Sequence, residues 1–369
     1  MRRFHRARRF TAIDCFCGAG GFSAGLVRAG FAIRAAFDLD ADSTATYSHH
    51  FRIQPLRQDV KEISGQMLLA AARLGKFECD LLVGGPPCQG FSRQRRGPEQ
   101  DPRNMLILEF LRLVGEAMPR FFIMENVSAI VGPRGKDLLS EFQRRSQAMG
   151  YIINRQVLNA ADYGVPQHRR RLFIVGQRSD QDTFYEFPVP TKTPNSYVTV
   201  RDAIGDLPSP ALKGVRAAIP NHEMDNISDL NRLRISHVPT GGGRQDIPQH
   251  LRLRCHAVSV DKAGHRGVYG RLDWDKPAGT ITTKCNSFTR GRFAHPTEHR
   301  NISMREAARL QSFEDDFNFI GDRVSVAHQV GNAVPVWLAY ALGVSVIDAL
   351  TVRPHGGVAS GQLRLMTNK

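Results

Sequence analysis

The amino-acid sequence predicts an α/β fold: a mostly parallel sheet with helices on both faces, plus a smaller, loop-rich second domain. Short β-rich runs alternate with helical segments throughout the first half, which is typical of parallel strands joined by helical crossovers. Near Phe187 the sequence becomes proline-rich and polar, in FPVPTKTPNSYVTV, and clear periodicity is lost. A helical pattern returns at SMREAARLQSF, residues 303–313. The chain therefore leaves the first domain near residue 188 and returns to it near residue 301.

The predicted strands are short runs of apolar, β-branched and aromatic residues, and the predicted helices lie between them. The strands are Thr11–Phe16, Ile33–Phe37, Asp80–Val83, Arg120–Met124, Ile152–Val157 and Arg171–Val175. The helices are Ser23–Ala29, Ser43–His50, Gly65–Leu74, Met105–Met118 and Asp137–Met149. Later in the chain, Ser303 and Glu306 have the spacing of a capping box, and Pro335 suits the first turn of a helix to Leu350.

These patterns divide the chain into four parts. Residues 1–187 form the first domain, 188–300 the second, 301–352 a segment that completes the first, and 353–369 a disordered tail. The second part contains 17 Lys and Arg against 10 Asp and Glu, an excess of 7 positive charges. We therefore expect a basic surface on the loop-rich domain.

The whole chain is strongly basic, with 50 Lys and Arg against 35 Asp and Glu and a net charge of +15. This balance favours a polyanionic partner, most often nucleic acid, over an ordinary basic protein. The start, MRRFHRARRF, lacks the apolar core of a secretory signal. It favours a basic arm that contacts a polyanion, with a short Arg-rich transit peptide as the alternative.

Composition also argues against a membrane and a metal. No apolar stretch approaches the ~18 residues of a spanning helix, so no membrane partner is expected. The six cysteines form no C-x-x-C pair, so no zinc site is expected and a reducing cytoplasm is the default location. In that setting a single cysteine with unusual neighbours is a candidate nucleophile.

The segment DCFCGAGGFSAGL, residues 14–26, predicts a strand, a glycine-rich turn and a helix. Glycines let a backbone approach a ligand closely, and a helix N-terminus offers free N–H groups. The spacing differs from G-x-G-x-x-G, which counts against a dinucleotide. Asp38, at the end of the second strand, could accept hydrogen bonds from ribose hydroxyls, with Leu39 beside it as an apolar surface. Asp59 could accept a hydrogen bond from an adenine amino group.

The segment LLVGGPPCQGFS, residues 81–92, places a cysteine at the end of a buried strand. Open α/β sheets bind their ligands at this carboxyl edge. Pro86 and Pro87 fix their own φ and restrict the residues before them, so the chain presents Cys88 at a defined place. A cysteine thiolate is strongly nucleophilic, and Cys88 is the predicted nucleophile.

Two further segments follow the next strands. RFFIMENVSAI ends a strand at Glu125, whose carboxyl group would face the same cleft as Cys88 and share a proton with a substrate. GVPQHRRRLFIVG places Gln167, Arg169 and Arg171 at alternate positions before a strand, so period two puts them on one face. Such a row of donors suits an oxygen-rich substrate.

Taken together, six blocks in order resemble the S-adenosylmethionine-dependent DNA cytosine-5 methyltransferases. The blocks are DCFCGAGG, GGPPCQGFS, MENV, PQHRRRLFIVG, SMREAARLQSF and HQVGNAVPV, with a variable region between the fourth and fifth. The resemblance spans residues 11–342 except the middle of the basic region. It implies a Rossmann-like catalytic domain, a target-recognition domain at residues 188–300, and methyl transfer from S-adenosylmethionine to carbon 5 of a flipped cytosine. It implies no metal.

The resemblance also implies roles for individual residues. Cys88 would be the nucleophile that bonds to carbon 6, Glu125 would hold the cytosine N3 and amino group, and Arg169 and Arg171 would lie at the base and the catalytic loop. The S-adenosylmethionine pocket would be lined by Phe16, Gly18, Gly20, Asp38, Leu39, Asp59, Pro86 and Asn332. Leu39 departs from the family pattern, in which an aromatic side chain often covers the adenine, so weaker adenine stacking is expected here.

DNA contacts are expected from three parts of the chain. Residues 89–100 would form a mobile loop that closes over the flipped base, and 240–248 and 280–296 would contact a groove of the target. The residues expected to contact DNA are Arg93, Arg95, Arg96, Gln167, Arg244, Lys284 and Arg290. The resemblance further implies a modification enzyme that acts on double-stranded DNA, with a restriction endonuclease as its partner. A monomer is expected, because one active site handles one flipped base.

Three other interpretations are open at this level. A related RNA cytosine-5 methyltransferase would keep the motifs, but such proteins usually have a smaller recognition region than this basic insert. A catalytically inactive DNA-binding relative would lose the thiol or the carboxylate, and Cys88 and Glu125 are both present. A nicotinamide oxidoreductase would leave the Pro-Pro-Cys stretch without a role.

Overall fold

The computed structural model of the chain describes residues 9–87, 105–212, 214–253 and 267–351. Its strands are β1 (Thr11–Cys15), β2 (Ala32–Phe37), β3 (Leu81–Gly84), β4 (Phe121–Val127), β5 (Tyr151–Asn159) and β6 (Arg170–Arg178). They form one sheet in the order β2-β1-β3-β4-β6-β5. The first four of these are mutually parallel, whereas β6 is antiparallel to both β4 and β5.

Ten α-helices surround the sheet and build the second part of the described chain. In the first half they are α1 (Gly21–Ala29), α2 (Ala41–Phe51), α3 (Gly65–Ala72), α4 (Leu106–Ala117) and α5 (Lys136–Ala148). In the second half they are α6 (Val200–Ile204), α7 (Asp229–Ser236), α8 (Met304–Leu310), α9 (Arg323–Asn332) and α10 (Val336–Thr351). The capping box at the start of α8 is present, with Ser303 and Glu306 bonded reciprocally.

The structure confirms the predicted fold class and all six predicted strands. The strands and the helices α1 to α5 begin and end within three residues of their predicted bounds. Three helices, α6, α7 and α9, were not predicted. In α9 the polar Gln329 is buried and the apolar Val324 is exposed, and this hides the helical period. The antiparallel direction of β6 was also not foreseen.

Successive residues of the central strands alternate between two apolar layers, as period two requires. On β4, Phe122 and Met124 join the layer that contains α3, α4 and α5. Phe121 and Ile123 join the opposite layer, where α1 and α10 pack. The sheet is therefore covered on both faces, and its edges are left to position polar side chains.

A second apolar core lies outside the sheet. Residues between Val200 and Ala294 contribute to it together with α8 and α9. This core therefore draws on the basic region and on the segment that follows it. The predicted domain bounds stay a prediction, and the 353–369 tail lies outside the described residues.

One stretch, 323–351, is long and apolar enough to cross a membrane by composition, contrary to the sequence expectation; its mean hydropathy reaches 1.7. The stretch is interrupted between α9 and α10, and 56% of its most apolar window is buried inside the protein. Leu338 and Leu342 are fully buried against the sheet layer. Packing within the protein accounts for its apolar character.

We predict that Gly25→Ala destabilises the protein. An added Cβ on α1 would lie 2.5 Å from both Ala339 Cβ and the Tyr340 backbone nitrogen of α10. Relief of this overlap should cost about 2 kcal/mol of unfolding free energy, which exceeds the helix propensity that alanine adds. Urea unfolding measures the change. Gly279→Ala is the control, because its Cβ would meet no atom within 4 Å; equal losses in both variants would contradict the prediction.

Candidate active site

The turn after β1 is held in a conformation that favours glycine. Phe16, Gly18 and Gly20 have φ of 56°, 51° and 98°, in the left-handed region. A Cβ on Gly20 would lie 3.0 Å from both Phe51 Cζ and Tyr47 Cδ2, so side chains of α2 pack tightly against the turn. A Cβ on Gly18 would meet no atom within 4 Å, which leaves that backbone open to a ligand.

Asp38 joins this turn to the end of β2. Its carboxylate accepts hydrogen bonds from the backbone N–H of Gly18 at 2.8 Å and of Asp40 at 2.9 Å. Burial raises the pKa of Asp38 above its usual value, while these two bonds oppose the rise. Leu39 is 63% exposed beside it. The structure thus brings an acceptor, an open backbone and an apolar surface together at one edge of the sheet.

A buried polar chain supports the turn from within the protein, and the sequence analysis missed it. Ser23 Oγ donates to Asp14 Oδ2 at 2.6 Å and lies 2.7 Å from the Tyr47 hydroxyl. The three residues are buried and link β1, α1 and α2. Burial raises the pKa of Asp14 to about 7. The sequence signal that could have predicted this chain was Asp14, the only charged residue in the mostly apolar strand TAIDC.

Other predicted cofactor residues lie near the turn or at the same edge. The end of α9 packs on the turn, because a Cβ on Gly21 would overlap the Val334 backbone carbonyl. Asn332 is exposed at that end of α9. Asp59 is half-buried, and its carboxylate accepts from the Lys61 N–H at 3.0 Å. A nucleoside with a charged tail fits this set, since acceptors, open backbone and an apolar side chain are all present.

An ion pair lies at the carboxyl end of β4. Glu125 Oε1 lies 2.9 Å from Arg171 Nε, and the two side chains are 13% and 16% exposed. The antiparallel pairing of β4 with β6 creates this contact, because it places Val127 opposite Arg171 and Glu125 opposite Phe173. A carboxylate and a guanidinium therefore face one partly enclosed site as an ion pair.

The Gly-Pro-Pro segment lies directly beside this pair. A Cβ on Gly85 would be 3.5 Å from Glu125 Oε2. Asn126 Nδ2 donates to the Pro86 carbonyl at 3.3 Å, and Asn126 is buried. The chain that leads to Cys88 is thus fixed against the end of β4. Cys88 itself and the predicted DNA contacts Arg93, Arg95 and Arg96 lie outside the described residues.

The four cysteines within the described ranges are poor candidates for a nucleophile. Cys15, Cys17, Cys79 and Cys285 are buried. Burial raises the pKa of Cys15 and Cys17 well above the usual value, and it raises that of Cys79 and of Cys285 to about 12. Thiolates do not form readily under those conditions. Within the same ranges no group of three His, Cys, Asp or Glu side chains could hold a metal ion.

Gln167 and Arg169 are placed differently from the prediction. Gln167 has no exposed surface, and its amide is bonded to the Leu310 carbonyl, Gln311 and the Ile281 N–H. Gln167 therefore has no surface with which to contact DNA in this structure, and we correct that prediction. Arg169 is 2% exposed and donates to the carbonyls of Ile281 and Gly331, both at 3.0 Å. Burial, and then the charge of Arg171, lowers the pKa of Arg169 to about 9.

The exposed side chains of this segment are the alternate ones, His168 and Arg170, which the sequence analysis did not select. His168 packs edge-on against Tyr197 at 5.4 Å. The Arg170 guanidinium forms no hydrogen bond or ion pair with any described residue, and its backbone carbonyl accepts from Arg171 Nη1. The alternation of period two is present as predicted, but Gln167 and Arg169 are on the buried face and His168 and Arg170 are on the exposed face.

The basic region contains both buried and exposed cations. Lys284 and Arg290 are exposed, as a DNA contact requires. Arg244, however, is only 4% exposed, so little of it is accessible in this structure. Arg271 is also buried, and its guanidinium donates to four backbone carbonyls, those of Ile235, Val238, His295 and Glu298. Part of the positive charge therefore holds loops together.

Comparisons with known proteins give matches over most of the chain. The profile of C-5 cytosine-specific DNA methylases matches residues 10–348. The Type II methylase M.HgiDII of Herpetosiphon aurantiacus is 35% identical over 340 residues, 91% of this chain and 94% of that protein. The Type II methyltransferase M1.HphI of Haemophilus parahaemolyticus is 38% identical over 345 residues, 92% and 87%. A solved E. coli structure, described as a prophage-encoded DNA modification methyltransferase, has 26% identity and a TM-score of 0.72 over 92% of this chain and 99% of that one.

We predict that Asp14 makes stability depend on pH. Its folded pKa of about 7 exceeds the usual 3.8, so the folded state binds a proton that the unfolded state has released. The contribution of this proton to the unfolding free energy is fully present below about pH 4 and is lost as pH rises to about 7. It is on the order of 4 kcal/mol in total.

Urea unfolding of the wild type and Asp14→Asn between pH 4 and pH 8 tests this expectation. The difference between their unfolding free energies should change across that window and be constant above it. Asp348→Asn, on an exposed position of α10, is the control and should give a parallel curve. A parallel curve for Asp14→Asn as well would contradict the assignment.

Proposed function

Because the chain belongs to the C-5 cytosine-specific DNA methylase family and is a DNA cytosine-5 methyltransferase, we propose that Cys88 and Glu125 methylate a cytosine flipped out of the duplex. The observation that carries this proposal is the Glu125–Arg171 pair beside the Gly85-Pro86 segment. It sets an acid and a cation next to the chain that presents the thiol. Flipping is needed because carbon 5 and carbon 6 are hidden in the stacked duplex.

The proposed chemistry assigns each group a separate task. Carbon 5 of cytosine is a weak nucleophile, and attack of the Cys88 thiolate on carbon 6 makes it enamine-like. Glu125 hydrogen-bonds or protonates N3 and so stabilises the charge that this attack places on the ring. S-adenosylmethionine, when bound, supplies an electrophilic methyl group on a sulfonium. After methyl transfer, solvent takes the carbon 5 proton, and the electron pair of that bond restores the double bond between carbon 5 and carbon 6. The Cys88 thiolate then leaves carbon 6 and the proton on N3 returns to Glu125, which gives 5-methylcytosine within the DNA.

Arg171 supports the same step from a position beside Glu125, at the same edge of the base. Its Nε holds Glu125 Oε1, and its Nη1 donates to the Arg170 carbonyl, so the guanidinium is fixed at both ends. From there it is the donor we assign to the cytosine O2. Prior placement of both groups reduces the reorganisation needed when the base arrives.

The methyl donor would be held at the adjacent part of the edge. We assign S-adenosylmethionine to Phe16, Gly18, Gly20, Asp38, Leu39, Asp59, Pro86 and Asn332. Asp38 would accept from the ribose hydroxyls, for which its partly buried carboxylate is suited. Leu39 offers the adenine an apolar but not an aromatic surface.

The biological setting follows from the relatives. Two of the proteins reported above, M.HgiDII and M1.HphI, are named Type II enzymes, so we propose that this protein is the modification enzyme of a restriction-modification system. Its substrate would be double-stranded DNA with a defined target sequence, recognised by the basic region with Lys284 and Arg290 exposed. We further propose that it is cytoplasmic, acts as a monomer, and shares its site with a restriction endonuclease.

The first test is methyl transfer. Duplex DNA of mixed sequence and labelled S-adenosylmethionine should yield 5-methylcytosine in one short motif, found by sequencing the product. Cys88→Ser should lower kcat by at least about 10³-fold. Cys79→Ser is the matched control, because a hydroxyl can replace the thiol that donates to the Leu81 carbonyl, and its activity should be retained. Transfer to RNA and not to DNA would overturn the proposal.

A second test concerns the acid. Glu125→Gln removes the proton but keeps the shape, so kcat should fall by about 10² to 10⁴-fold while the Kd for DNA changes little. Single-turnover methylation measures the chemical step. Glu141→Gln, on the surface of α5, should leave that rate unchanged. A Glu125→Gln enzyme with normal single-turnover rate would exclude the acid role.

A further inference from the structure

Three buried polar side chains form a junction between parts of the chain that are distant in sequence. Gln167, Arg169 and Gln311 are 0%, 2% and 0% exposed. Gln167 Nε2 donates to Gln311 Oε1 at 2.9 Å and to the Leu310 carbonyl at 3.0 Å. We call these three side chains the polar junction. It connects the segment before β6 to the end of α8.

The polar junction also clamps the basic region. Gln167 Oε1 accepts from the Ile281 N–H at 2.8 Å, and Arg169 Nη1 donates to the carbonyl of the same residue at 3.0 Å. Both backbone groups of Ile281 are therefore fixed by the segment that leads into Arg171. Lys284, an exposed candidate for DNA contact, follows three residues later.

The third side of the polar junction is the end of α9. Arg169 Nη1 donates to the Gly331 carbonyl at 3.0 Å, and Gln311 Nε2 donates to the Val330 carbonyl at 2.7 Å. Gly331 lies so close to the basic region that a Cβ would overlap the backbone of Thr282 and Thr283. The next residue, Asn332, belongs to the proposed methyl-donor pocket.

Movement on one side of the polar junction must affect the others. Its bonds are buried, and a displaced partner would leave donors or acceptors without compensation by water. One group already lacks a partner among the described residues: the buried Arg169 Nε–H. Buried N–H groups are nearly always hydrogen-bonded in folded proteins, to the protein or to ordered water.

We propose that Gln167, Arg169 and Gln311 are positioning residues through which DNA at residues 280–284 and the methyl donor beside Asn332 strengthen each other's binding. This inference rests on the proposed function, since it needs both ligands. It gives Gln167 and Arg169 a role different from direct base contact. By linkage, the effect of DNA on donor affinity equals the effect of the donor on DNA affinity.

The test measures a ratio of affinities. S-adenosylhomocysteine, which cannot transfer a methyl group, is titrated by calorimetry into the full-length protein. The titration is done with and without an unmethylated duplex that contains the target motif found in the methyl-transfer test. For the wild type, the Kd of S-adenosylhomocysteine should be lower with the duplex than without it, and this ratio of the two Kd values, the factor, should lie between about 5 and 150. Gln167→Met and Gln311→Met should reduce this factor to within about twofold of one, and the double variant should lose no more than either single variant.

Gln177→Met is the matched control. Gln177 is a buried glutamine on β6 whose amide is bonded to the backbone of Thr183 and Tyr185, away from the polar junction. It should lower the unfolding temperature as the other variants do but keep the wild-type factor. A merely structural role for Gln167 would give the same result as this control.

Two outcomes would overturn the inference. One is a wild-type factor of one, which needs no variant and so applies even if Gln167→Met fails to fold. The other is a folded Gln167→Met or Gln311→Met protein with the full factor. Methyl transfer by the wild type distinguishes failure of this inference from failure of the proposed function. Normal transfer with a factor of one rejects only the coupling, whereas no transfer to DNA rejects the proposed function on which the coupling rests.

Discussion

The site depends on the direction of one strand. Because β6 runs antiparallel to β4, the beginning of β6 and the end of β4 meet at the same edge of the sheet. That edge is also where β1, β2 and β3 end. Arg171 is thereby carried to Glu125, and the glycine-rich turn, Asp38 and the Gly-Pro-Pro segment lie along the same edge. A parallel β6 would place Arg171 at the opposite edge, and the ion pair could not form.

The glycine-rich turn is supported by parts of the chain that are far from it in sequence. Below it, Asp14, Ser23 and Tyr47 form a buried chain of hydrogen bonds. Above it, the chain between α9 and α10 packs so closely that Gly21 has no room for a side chain. The last helices therefore complete the first half of the fold, and a ligand in this turn would rest on a surface built by both ends of the described chain.

The net charge of +15 does not translate directly into a DNA-binding surface. Arg169, Arg271 and Arg305 are buried, and their guanidinium groups donate to backbone carbonyls. Arginine suits this task because its donors form a rigid fork. Long loops with little secondary structure need such donors, since their carbonyls have no ladder to join. The cations left to face a polyanion include Arg170, Lys284 and Arg290.

The sequence by itself determined the strands, most helices and the family, because apolar periodicity and short motifs are local properties. It also identified Glu125 and Arg171, which lie at strand ends where chemistry is expected. Only the tertiary structure decided that β6 is antiparallel and that α9 is a helix. It also decided that Gln167 and Arg169 are buried while His168 and Arg170 are exposed. The physical reason is that strand direction and burial depend on partners that no local pattern contains. The direction of β6 depends on its pairing with β4, and the burial of Arg169 depends on Ile281 and Gly331, more than a hundred residues away.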